Sequence, residues 1–142
     1  MLLRIAAVLM FIHDVLHTIG FSGWKADPAR QVAVKAMTGP KLPFMGANRN
    51  MGEFYDGFGY ASSIALLLIA VTLWIVSGEL APGSTLARKI IITLTIILAL
   101  WGIDEVIFFF PFAACITLLA CICCFWSLFS LGSASLANNL KS

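Results

Sequence analysis

Four stretches of mostly apolar residues dominate this chain, each about as long as the ~20 residues a helix needs to cross a bilayer. Three qualify easily: Gly57 to Val76, Ile90 to Phe110 and Phe112 to Leu131. The fourth, Leu2 to Gly20, is less apolar because it holds Arg4, His13, Asp14 and His17. It has some marks of a secretory leader. Its apolar core from Ile5 to Ile12 is short, however, and no small-x-small cleavage site follows, so it reads as a first span. Composition points the same way. The chain is 61% hydrophobic and 11% charged, where a soluble globular domain carries about 25% charged residues. The expected fold is an all-α membrane protein, a four-helix transmembrane bundle forming one domain over residues 1–142.

Nine Lys and Arg against seven Asp and Glu give a net charge of +2 without a basic cluster. Nucleic acid is therefore not an expected partner, because phosphate contacts need gathered cations. Cys115, Cys121, Cys123 and Cys124 all fall in the last apolar stretch, and Cys121 and Cys124 share a helix face with Thr117. They read as small residues for helix packing rather than as an exchanging thiol pair.

The connections differ in length. The first runs from about Phe21 to Tyr55, and in it Asp27-Pro28 reads as an N-cap followed by proline at the first helical position. A short helix from Ala29 to Met37 should follow and stop at Gly39-Pro40. With Val32, Ala36 and Met37 on one side, it is expected to lie along the membrane surface. Gly78, Pro82 and Gly83 break the second connection, and Phe109-Phe110-Pro111-Phe112 makes a tight third. An even number of spans puts both termini on one side. The short loop with Arg88 and Lys89, together with Arg4 and Lys141, argues for termini in the cytoplasm.

Ionisable residues are costly inside a bilayer and mark functional interiors. In the first span His13 and His17 share a face at i, i+4, with Asp14 about 100° round. In the second, Asp56, Gly59, Tyr60 and Ser63 line one face, with Glu53 and Tyr55 just before it. Trp101, Asp104, Glu105 and Phe108 repeat that spacing in the third. The relevant ends of these spans fall on one side of the membrane, so the polar groups are expected in one leaflet.

A histidine poised by a carboxylate gives and takes protons near neutral pH. The expected function is therefore a pocket, set in the lipid bilayer, for a lipophilic small molecule. Its chemistry would be acid-base catalysis of an isomerisation, cyclisation or hydration. His13, His17, Asp14, Asp56, Asp104 and Glu105 are the candidate catalytic groups, and Tyr55, Gly59, Tyr60 and Trp101 the candidate substrate-binding ones. Paired histidines also have metal-site spacing, but the sequence fixes no further ligand, and two on one helix face cannot hold opposite sides of a haem iron. No metal or cofactor is assigned. Two other classes stay open: a non-catalytic membrane subunit binding another chain through this face, and a homo-oligomeric transporter coupling protons or cations through Asp14 or Asp104. A structural hydrogen-bond network is the plain alternative to all three.

His13-Asp-Val-Leu-His17-Thr-Ile-Gly20, Val34-Lys-Ala-Met37 and Met51-Gly-Glu-Phe-Tyr-Asp56-Gly-Phe-Gly-Tyr60 together resemble an uncharacterised family of small bacterial four-helix integral membrane proteins. In that family a first helix ends in a His-Thr-x-Gly-like signature and a second opens with an Asp-Phe-Tyr-x-Gly-Phe-Gly-like one. Here the aspartate follows the Phe-Tyr pair. The resemblance implies the four-helix architecture and a site at His17, Tyr55, Asp56, Gly57 and Gly59. It carries no assigned activity.

Overall fold

The computed structural model describes residues 1–79 and 84–139, with side chains as far as Phe129. Pro82, Gly83 and Lys141 lie outside the described residues. In order, the elements are α1 (Leu2–Ser22), a 3-10 turn (Pro28–Arg30), α2 (Gln31–Thr38), β1 (Leu42–Phe44), β2 (Ala47–Arg49), α3 (Met51–Gly78), α4 (Thr85–Phe108) and α5 (Pro111–Asn139). Four of these helices are long and apolar enough to cross a membrane. The chain is an all-α, multi-pass membrane protein with a long first connection.

Capping chemistry sets where the helices begin. α3 starts at Met51 rather than Gly57 because Asn50 and Glu53 form a reciprocal box. The Glu53 amide donates to Asn50 Oδ1 at 2.8 Å, and the Asn50 amide donates to Glu53 Oε2 at 2.9 Å. α4 starts at Thr85 rather than Ile90, with the Ser84 hydroxyl accepting the Ala87 amide at 3.3 Å. α5 opens on Pro111, whose missing N–H is no loss in a first turn. Asp27 caps the 3-10 turn as its sequence predicts, its Oδ1 accepting the Ala29 amide at 2.9 Å, and α2 follows directly.

The small hairpin was not foreseen. β1 and β2 pair antiparallel, Leu42 with Arg49 and Phe44 with Ala47, around a two-residue turn. Met45 (φ 46°) and Gly46 (φ 87°) are both left-handed there, as that tight turn requires. A methionine in the first turn position hides the usual Asn-Gly signal.

The chain divides into two compact units. The first, residues 1–13 and 66–142, takes part of all four long helices and is a four-helix bundle. Leu3, Ala6, Met10, Leu66, Leu73, Ile91, Leu98 and Cys124 are buried in its core. Small residues let the helices approach: Ala6, Ala7, Ala70, Ala87 and Ala120 are all buried. Ile92, Ile96, Leu100, Ile122 and Phe125 stand exposed on its surface, where acyl chains solvate them without cost. Arg4 lies over the Trp74 ring, 5.6 Å from its centroid.

The second unit, residues 14–65, joins the end of α1, the long connection and the start of α3. Phe21 and Trp24 are its buried aromatic residues. The Asn50 side chain ties its parts together, donating to the Thr38 carbonyl at 3.1 Å from the base of α3.

Candidate functional site

Each unit holds one grouping of the polar residues singled out above. In the four-helix unit, α4 and α5 come close at Gly102, where an added Cβ would lie 2.6 Å from Leu118 Cδ2. That approach sets Thr117 of α5 beside the next turn of α4, which carries Glu105. His13 of α1 completes the set. Its Nε2 lies 3.3 Å from Glu105 Oε1, and its Nδ1 lies 3.0 Å from Thr117 Oγ1. All three are buried: His13 is 5% exposed, Glu105 3% and Thr117 0%.

Both ring nitrogens of His13 are therefore engaged. With one proton, on Nε2, the ring donates to Glu105 while Nδ1 accepts from the Thr117 hydroxyl. With two, it donates to both. The same cage thus holds either protonation state of the ring. Glu105 is less completely served. Trp101 and Thr117 lie beside its carboxylate, yet Oε2 has no hydrogen-bond partner among the described residues. A buried carboxylate oxygen left unpaired is expensive, and such an atom calls for an explanation. Trp101 is half-buried one turn before Glu105, packed against the core. Asp104, next to Glu105 in sequence, is exposed on the outer side of α4.

In the second unit, Gly59 permits the close approach of α1 to α3. A Cβ there would fall 2.3 Å from the Phe21 ring. Phe21 stacks on His17 (centroids 5.8 Å apart) and meets Tyr60 edge-on at 4.9 Å, with Tyr55 tilted at 6.4 Å. His17 Nδ1 lies 3.1 Å from Ser63 Oγ, which also sits 2.8 Å from the Thr18 hydroxyl. Thr18 in turn reaches back to Asp14 Oδ1 at 3.5 Å, at the outer limit of a hydrogen bond. Asp56 is fully served: Trp24 Nε1 donates to its Oδ1 at 2.8 Å and Lys25 Nζ pairs with its Oδ2. Trp24 also packs edge-on against Tyr55 at 4.7 Å.

Among the described residues, no three of His, Cys, Asp and Glu gather as a metal site would. Thr117, Trp24, Lys25 and Thr18 are members of these groupings that sequence reasoning did not name as site residues. Thr117 carried a usable signal, as a lone hydroxyl in an apolar helix. Trp24 and Lys25 lie in a connection with no periodicity to read. Comparison with protein-family models, with curated proteins and with solved structures finds no match to this chain.

Proposed function

We propose that this membrane protein binds a lipophilic small molecule at the His13–Glu105 pair and performs acid-base chemistry on it. One observation carries the reading: a buried carboxylate in contact with a buried histidine keeps one oxygen, Oε2, without a partner. A substrate hydroxyl, or an acidic C–H beside a carbonyl, would complete that oxygen. Glu105 takes the proton, His13 Nε2 stabilises the charge by its hydrogen bond, and Thr117 holds the ring in register. Returning the proton at a second position of the same molecule is an isomerisation and needs no other reactant. The Trp101 indole lies beside the carboxylate. In this reading Asp56, Tyr55, Gly59 and Tyr60 build the second unit rather than act on substrate, because Lys25, Trp24 and Phe21 already occupy them.

The test is native mass spectrometry of the protein expressed alone and gently extracted. A stoichiometric lipophile on the native protein, lost from both His13→Ala and Glu105→Gln, is the expected result. Retention of the same ligand by both variants would overturn the assignment.

A second reading rests on Asp104. Its carboxylate is exposed on α4 between Ile103 and Val106, themselves 54% and 63% exposed. A carboxylate facing lipid is unfavourable, and a cation on another chain would offset it. That favours a second copy or a partner subunit docked on α4. Dissociation of a native oligomer by Asp104→Asn tests it. We also propose that α2 lies along the membrane surface, that the termini face the cytoplasm of a bacterial inner membrane, and that the chain is kin to the family it resembles.

A further inference from the structure

A hydroxyl inside a helix ordinarily donates to the carbonyl four residues back, as Thr38 does to Val34 and Ser127 to Cys123. Thr18 and Ser63 are used differently. Within the second unit they join two titratable side chains in one series. Asp14 Oδ1 lies 3.5 Å from Thr18 Oγ1, Thr18 Oγ1 lies 2.8 Å from Ser63 Oγ, and Ser63 Oγ lies 3.1 Å from His17 Nδ1. Phe21, admitted by Gly59, stacks on the His17 ring and holds this last member in place.

Counting hydrogens gives the series a direction. An ionised carboxylate only accepts, and each hydroxyl has one hydrogen to give. Thr18 donates to Asp14, so toward Ser63 its oxygen is an acceptor. Ser63 therefore gives its hydrogen to Thr18 and must accept from His17. Three contacts need three hydrogens, and the third comes from His17 Nδ1. With Nδ1 bare, one contact would have no hydrogen at all. Asp14 stands about two turns before the end of α1, where a bilayer offers little water to mend such a gap.

A neutral imidazole with its hydrogen on Nδ1 keeps a lone pair on Nε2. Among the described residues nothing hydrogen-bonds to that atom of His17, and the side chain is half-buried rather than sealed. His13 differs in both respects, being buried with both ring nitrogens engaged.

We infer that Asp14, Thr18, Ser63 and His17 form a hydrogen-bonded relay that presents His17 Nε2 as a proton acceptor for an acidic O–H group on a membrane-borne molecule. The O–H bond of that molecule breaks as its proton joins Nε2. The Nδ1 proton passes to Ser63, the Ser63 proton to Thr18 and the Thr18 proton to Asp14, so the whole series reverses. Asp14 ends neutral, the molecule's oxygen ends negative, and the imidazole is neutral before and after. No other reactant is needed. Asp14, Thr18 and Ser63 are positioning residues that act through the ring. This centre is separate from the His13–Glu105 pair and does not depend on it.

The chain has two histidines, so nitrogen NMR of the full chain labelled with ¹⁵N-histidine resolves each ring. At pH 8 His17 should carry its hydrogen on Nδ1 over Nε2 by about tenfold, as one charge-assisted hydrogen bond allows. Thr18→Val, at an exposed position of the same shape, should fold normally and lose that preference, as should Ser63→Ala. Asp14→Asn introduces an N–H donor that lets the series run backward, so Nε2–H should become the main form. Diethyl pyrocarbonate, which needs a bare imidazole nitrogen, should modify His17 of the native chain well before His13. A native His17 with Nε2 protonated, a ratio unmoved by all three variants, or modification of His13 ahead of His17 would each overturn the proposal.

Discussion

Glu105 and Asp56 are both carboxylates near a helix end, each with a tryptophan close by, yet their surroundings set them apart. Asp56, in the second unit, has both oxygens occupied, by Trp24 and Lys25, and its side chain remains 27% exposed. Glu105, in the four-helix unit, is buried with one oxygen on His13 and the other unpaired. A satisfied, half-wet ion pair fixes a loop and does little else, since exposed pairs contribute only about 0–1 kcal/mol. An unsatisfied buried carboxylate carries a desolvation cost that a purely structural group has no reason to keep. On the reading proposed above, the two acids are told apart by their partners and not by their residue type.

The sharpest way to break this contrast is to remove His13. His13→Ala leaves the Glu105 carboxylate buried without its histidine partner. Losing one member of a buried pair destabilises by about 3 kcal/mol, which should appear as a large drop in unfolding temperature in detergent. Adding Glu105→Gln to His13→Ala should recover much of the loss, because a neutral amide is cheaper to bury than an unpaired charge. A double variant no better than His13→Ala would mean that the two side chains are not coupled.

The two glycines of α3 offer the next test. Gly59→Ala drives a Cβ into the Phe21 ring and so displaces its stack on His17 and its edge contact with Tyr60. Overpacking of this kind destabilises by about 1–3 kcal/mol. Gly57→Ala goes the other way. Its Cβ enters open space, and the gain in helix propensity should stabilise the protein by about 0.5–1 kcal/mol. Opposite signs two residues apart, measured by the same thermal scan, would establish the two-faced character of α3. Like signs would refute it.

Much of this architecture is legible in the sequence, for a physical reason. A membrane helix must satisfy its backbone internally and present apolar side chains over its whole length, so its middle is unmistakable. Its ends are set by a few hydrogen bonds instead. Asn50-x-x-Glu53 is a capping signature, but it precedes the apolar run, and so the start of α3 reads late. His13 is conspicuous as a polar group deep in a span, whereas its partner Thr117 is not. A threonine hydroxyl in a helix ordinarily bonds its own preceding turn, as Thr72 does to Leu68 and Thr95 to Ile91. Only the packing of α5 at Gly102 sets Thr117 against a histidine far away in sequence. Trp24 and Lys25 are hidden similarly, because the pairing of an irregular connection with Asp56 has no period to betray it.

The smallest effect should come from Asp56→Asn, and salt is what separates it from Glu105. The amide oxygen of asparagine still accepts from Trp24 Nε1, so only the Lys25 pair is lost, worth no more than about 1 kcal/mol for groups this exposed. Charges in contact with solvent are screened over roughly 8–10 Å at physiological ionic strength. The stability difference between native protein and Asp56→Asn should therefore shrink toward zero as salt rises. The difference caused by Glu105→Gln should change less, because both side chains of that pair are buried. Thermal scans of both variants at low and high salt make the comparison directly. Equal salt sensitivity at the two positions would mean that Glu105 is wetter than its packing implies, and its unpaired oxygen would then need no substrate to complete it.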